Sequence, residues 1–139
     1  MTPVVQRDRT GCALASVAAL TRQSYAAVKR EAASLGIAVT DPRLWGGTAY
    51  IRRLLRHFRV PAGAQKNFTS WEALPDCALL AIKWHRERNG PAWHWVVFVR
   101  EASDACVLDP KQGLRSNRRT DFGRIKPKWF IRVRPNPAA

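Results

Sequence analysis

The stretch that most limits what this chain can become is residues 6 to 20, Gln-Arg-Asp-Arg-Thr-Gly-Cys-Ala-Leu-Ala-Ser-Val-Ala-Ala-Leu. Polar and charged residues lead through a Thr-Gly step into Cys12, and a run of small apolar residues follows. That run reads as a buried helix with Thr10 as its N-cap, which sets Cys12 in the first turn. Such a helix has no solvated face, so the rest of the chain must close around it. Its dipole favours negative charge on a sulfur in that turn, thiolate over thiol.

The remaining segments fall into two groups. Ser24 can cap a second helix whose Tyr25, Val28, Ala32 and Leu35 share a face, with Gly36 as its C-cap. Residues 37–47 read as loop, because Asp-Pro and Gly-Gly both punctuate. A third helix starts near Thr48, with Ile51, Leu54, Leu55 and Phe58 on one face and Arg52, Arg53 and Arg56 off it. After Pro61 the character changes. Residues 70–74 suit one helical turn, 78–84 a buried strand, and 86–91 a hairpin turn around Asn-Gly. Residues 93–100 give the clearest strand, Ser103-Asp104 turns the chain back into 105–108, and 129–134 reads as a final strand. The stretch 111–124 reads as a basic, polar loop, and the tail 135–139 as frayed. Helices followed by an antiparallel meander predict an α+β fold in a single domain over 1–139, with a helical part at about 10–60 and a sheet part at about 77–134. The loop at 59–70 is the expected seam.

The three cysteines, Cys12, Cys77 and Cys106, match no disulfide or zinc spacing. No segment resembles a signal peptide or a membrane span, so the expected setting is the cytosol, with export lacking a signal peptide left open. The net charge of +14 is spread out, with 11 basic and 3 acidic side chains in residues 1–70 and 13 and 7 in the rest. That spread implies attraction to polyanions.

A cysteine nucleophile needs a base, a group to orient the base, and donors for the oxyanion. Of three histidines, His57 ends the third helix, where the helix dipole accounts for it. His85 sits among Lys83, Arg86 and Arg88, which would hold it neutral and solvated. His94 opens the aromatic strand, where a core role is the simpler account. Asp109 changes this weighting, because pairing of 93–100 with 105–109 would return its carboxylate towards His94. Asp-Pro is also an ordinary strand end, and Gln6 alone is an ordinary leader residue.

Together these residues resemble a known family. Gln6, Cys12-Ala13 and the small-residue helix are similar to the N-terminal signature of papain-like peptidases of the bacteriocin-processing, double-glycine-cleaving family. His94-Trp-Val-Val and Val107-Leu-Asp109-Pro110 resemble that family's His-aromatic-Val-Val and Leu-Asp-Pro segments, in the same order. The resemblance implies a papain-like fold, with Cys12 as nucleophile, His94 as base and then acid, and Asp109 as its orienter. It implies that the Gln6 amide and the Cys12 N–H hold the oxyanion, that a thioester acyl-enzyme forms, and that no metal or organic cofactor takes part. The partner would be a peptide or protein substrate, for which an acidic one would suit the charge. Ala13 departs from the Gly common at that position. The same triad also serves glutamine deamidation and acyl transfer. A reading from another class is a basic nucleic-acid-binding module, with Lys and Arg on phosphates and Trp faces on bases.

Overall fold

The computed structural model describes residues 1–137. Helix α1 (Cys12–Thr21) is buried along all ten residues. Its alanines and Ser16 carry so little bulk that α2 (Tyr25–Ser34), α3 (Ala49–His57) and the sheet all reach it. Helix α2 starts on Ser24, whose hydroxyl accepts from the Ala27 N–H at 3.0 Å, and buries Tyr25, Val28 and Ala32. It stops where Gly36 takes φ +78, a conformation that costs glycine little. Helix α3 buries Ile51, Leu54 and Leu55 and leaves Arg53 and Arg56 exposed.

Six antiparallel strands follow: β1 (Ala62–Asn67), β2 (Cys77–Glu87), β3 (Gly90–Glu101), β4 (Asp104–Leu108), β5 (Arg118–Arg119) and β6 (Trp129–Val133). Their order across the sheet is β1-β6-β2-β3-β4-β5. Alternation along β3 sends Trp93, Trp95, Val97 and Val99 to the helices, and Val96 and Phe98 to a second core under Phe68, Trp71 and Phe122. Trp93, Trp95 and Trp129 meet edge to face with centroids 4.9–5.6 Å apart. Trp95 also donates its indole N–H to Leu44 O at 2.7 Å, so truncating it to Ala would cost about 3–5 kcal/mol. These three rings are buried and offer no face to a base.

Several expectations need correction. Gly11, not Thr10, is the N-cap of α1 and makes no side-chain cap bond, while the Thr10 hydroxyl donates to Val39 O instead. The expected seam contains β1, which pairs with β6, the last strand, a long-range pairing that local pattern does not show. The expected loop at 111–124 contains β5 and a short 3-10 turn, Phe122–Arg124. Residues 70–74 form a turn, with the Ala73 N–H on the Ser70 hydroxyl, rather than a helix. Strand β2 runs three residues beyond Trp84, so the hairpin loop shrinks to Arg88-Asn89, with Gly90 at φ +127. The tail is tied as far as Asn136, whose N–H donates to Leu20 O; Ala138 and Ala139 lie outside the described residues. No helix among the described residues is long and apolar enough to cross a membrane.

Candidate active site

Cys12 begins α1, and its sulfur lies at the edge of β3. The ladder from β3 to β4 starts at Val97, so the Trp95 N–H has no strand partner on that side. It points instead at Cys12 Sγ, 3.5 Å away. Helix start and strand edge thus both aim N–H dipoles at one sulfur. The preceding loop is held by Asp8, whose carboxylate takes the Tyr25 hydroxyl at 2.6 Å and Lys29 Nζ at 3.1 Å. Those two bonds hold the Asp8 carboxyl below the usual range. A Cβ at Gly11 would run into the Tyr25 hydroxyl, so only glycine lets the loop pass.

His94 has the strand parity of Val96 and Phe98, so the sulfur reaches it past the open edge of β3. Its Nε2 meets Asp109 Oδ1 at 2.7 Å, which leaves Nδ1 free on the ring, and Cys12 acts on the same imidazole from nearby. The pairing of Val97 with Leu108 places Asp109 one step beyond the ladder, diagonal to His94 on the same face. Burial pulls the imidazolium pKa down, but bonds to Asp109 and Cys12 outweigh it and lift His94 to about 9. Asp109 is 0% exposed. Burial there favours the neutral acid, yet the bond from His94, with help from the Lys111 N–H and Arg119, takes its pKa to about 2. A cationic imidazole between a buried carboxylate and a sulfur can deliver a proton to a leaving group and, once neutral, take one from water.

Gln6 borders this group through its backbone, whose N–H donates to Pro110 O at 2.9 Å. Its side chain is turned into its own loop. Nε2 gives its two hydrogens to Asp8 O at 3.0 Å and Arg9 O at 2.9 Å, and Oε1 is buried without a partner. Flipping the amide would set an oxygen against two carbonyl oxygens, so the bonding fixes this orientation. Of the four residues singled out from sequence, Cys12, His94 and Asp109 therefore share one line of contacts. Gln6 stands beside them with both amide hydrogens engaged.

The other candidates lie elsewhere. His57 pairs with Glu31 at 3.0 Å, and the exposed His85 lies 3.4 Å from Glu87, a carboxylate the basic run around it conceals in the sequence. Burial pushes the Cys77 thiol up to about 12. Cys106 accepts from Arg118 Nη1 at 3.3 Å. All three cysteines are free.

Sequence reasoning missed Arg119. Its Nη1 donates to Asp109 Oδ2 at 2.9 Å, while Nε and Nη2 grip Asp121 at 3.0 and 2.8 Å. The signal available was Arg119-Thr-Asp121, a spacing that puts both side chains on one side of an extended segment. Also missed was a β-bulge beside His94. Between the pairs Ile82–His94 and His85–Ala92, two residues of β2, Lys83 and Trp84, stand opposite Trp93 alone.

No protein-family model and no curated protein sequence matches the chain. Among solved structures it is similar to a double glycine motif protease from an AMS/PCAT transporter, crystallised in complex with the leader peptide. The TM-score is 0.58 at 15% identity, over 97% of this chain and 91% of that one. What the two share is the fold, a papain-like α+β arrangement of helices on an antiparallel sheet.

Proposed function

We propose that this chain is a cysteine hydrolase that cleaves a peptide or isopeptide amide, a member of the double-glycine-cleaving, papain-like family. The observation that carries the reading is one imidazole bridging the Cys12 sulfur and the buried Asp109 carboxylate. The fold likeness to a protease seen with a peptide supports it.

With the Cys12 proton taken up by His94 as base, the sulfur attacks the scissile carbonyl and forms a C–S bond as the carbonyl π bond opens. Negative charge moves to the carbonyl oxygen. The Cys12 N–H at the helix start receives that oxyanion, together with the Gln6 amide once it releases the Asp8 or Arg9 carbonyl. Exchanging that carbonyl bond for one to an oxyanion is favourable, because charge-assisted bonds are about twice as strong. His94 passes its proton to the leaving nitrogen as the C–N bond breaks, leaving a thioester on Cys12. Water then attacks the thioester while His94 takes its proton, and the C–S bond breaks to release the acid. Asp109 holds the imidazole in register throughout.

The test is digestion of a proteome-derived peptide library, read by mass spectrometry for new C-termini. New termini with the wild-type chain and none with Cys12→Ser are expected. Identical peptide sets from both would contradict the reading.

A further inference from the structure

Behind Asp109, on the side away from Cys12, lies a cavity of about 510 Å³. Lys83, Arg115, Arg118, Arg119 and Arg124 line it, against two carboxylates, Asp109 and Asp121. Both carboxylates are already taken up by Arg119, and Asp109 by His94 as well. Among the described residues, Lys83, Arg115, Arg118 and Arg124 pair with no carboxylate. The cavity therefore holds an unbalanced cluster of cations at the back of the triad.

Lys83 sharpens the point. It is the first residue of the bulge beside His94 and takes φ +53, a conformation that favours glycine. A side chain kept where none would be easier is a pointer to use. The bulge sets this exposed lysine beside Asp109, Lys111 and Arg119, and partial desolvation together with the like charge of Lys111 pulls its pKa down. An anion in the cavity would relieve that crowding of like charge.

We propose that this cavity binds acidic side chains of a polypeptide substrate, gripped by Lys83, Arg115 and Arg124. The word substrate rests on the hydrolase reading above; the anion site itself does not. Guanidinium forks suit carboxylates. The lining has no aromatic ring, whereas single-stranded nucleic acid is held by stacking on such rings as well as by charge. A single open basin beside Asp109 also suits a few side chains better than a continuous backbone track.

The experiment measures binding of fluorescein-labelled hexaglutamate, hexaglutamine and a six-nucleotide thymidine strand to the Cys12→Ser chain at low ionic strength. Hexaglutamate should bind and hexaglutamine should not. Arg115→Glu/Arg124→Glu should weaken hexaglutamate about tenfold or more, as the loss of two charged contacts implies, while Arg30→Glu/Arg56→Glu on the helices changes it little. Lys83→Gly should weaken it with no loss of thermal stability, because glycine suits that backbone. Equal weakening by the helix pair would overturn the site as mere net charge. Tighter binding of the thymidine strand, lost on the Arg115/Arg124 change, would overturn it in favour of nucleic acid. Failure of these arms leaves Cys12 reactivity untouched, and failure of Cys12 to react leaves hexaglutamate binding untouched, so the two readings fall separately.

Discussion

Arg119 meets Asp109 Oδ2 at 2.9 Å while His94 holds Oδ1 at 2.7 Å, so the buried carboxylate is gripped by a cation on each oxygen. Arg119 is in turn fixed by Asp121. On the proposed mechanism it touches no reacting atom and would act through Asp109 as a positioning residue. Replacing it with Met leaves Oδ2 buried without a donor, which favours the protonated acid. Arg119→Met should lower kcat about tenfold and move the acid limb of the pH profile upward, and Arg119→Lys should restore most of both. A plain loss of thermal stability with an unmoved acid limb would assign Arg119 to the fold alone.

The pair Asp109 and His94 predicts how stability follows pH. His94 holds its proton up to about 9 in the folded chain against an ordinary 6.5, so its contribution is full below 6.5 and is lost as pH rises through 9. Asp109 is held near 2 against 3.8, so its contribution is full above 3.8 and is lost as pH falls through 2. Urea unfolding across this range should show the loss on the alkaline side shrinking in Asp109→Asn. The imidazole midpoint, followed by NMR, should drop in the same variant. An unchanged His94 midpoint would mean that the carboxylate does not hold the cation.

Gly11 carries no side chain because the Tyr25 hydroxyl occupies that space. Gly11→Ala should destabilise by about 1–3 kcal/mol, the cost of overpacking, and should slow Cys12 chemistry by displacing the loop. Adding Tyr25→Phe removes the colliding oxygen and should recover part of the stability. The single Tyr25→Phe change should cost about 1 kcal/mol for the lost bond to Asp8. A double-mutant cycle in denaturant that shows simple additivity would contradict the collision.

Gln6 is tested by its chemistry rather than its packing. If its amide receives the oxyanion, Gln6→Ala should reduce kcat by about 10²–10³ with KM little changed. Gln6→Glu should be as poor, since a carboxylate repels the developing charge. A drop in thermal stability with turnover preserved would confine Gln6 to bonding the Asp8 and Arg9 carbonyls.

The helices and β3 were legible because each carries its own periodicity: Tyr25, Val28 and Ala32 on one face, alternating burial along β3. The strands β1 and β5 were not. Residues 62–67 are almost all exposed and gain order from β6, far along the chain, and Arg118-Arg119 are two charged residues whose order comes from β4. For the site, the convergence of His94 and Asp109 follows from hairpin register, which local pattern sets. The approach of Cys12 to the edge of β3 depends on helix packing, and only the family resemblance suggested it. Arg119 was hidden because a basic loop looks solvated until a buried carboxylate is seen behind it.

The most direct measurement is the rate at which iodoacetamide alkylates each cysteine at neutral pH, read by peptide mass mapping. Cys12 should react about tenfold faster than Cys77 or Cys106, or more, and His94→Ala should remove that advantage. Equal rates at the three cysteines, or a Cys12 rate indifferent to His94, would contradict a nucleophile served by this imidazole.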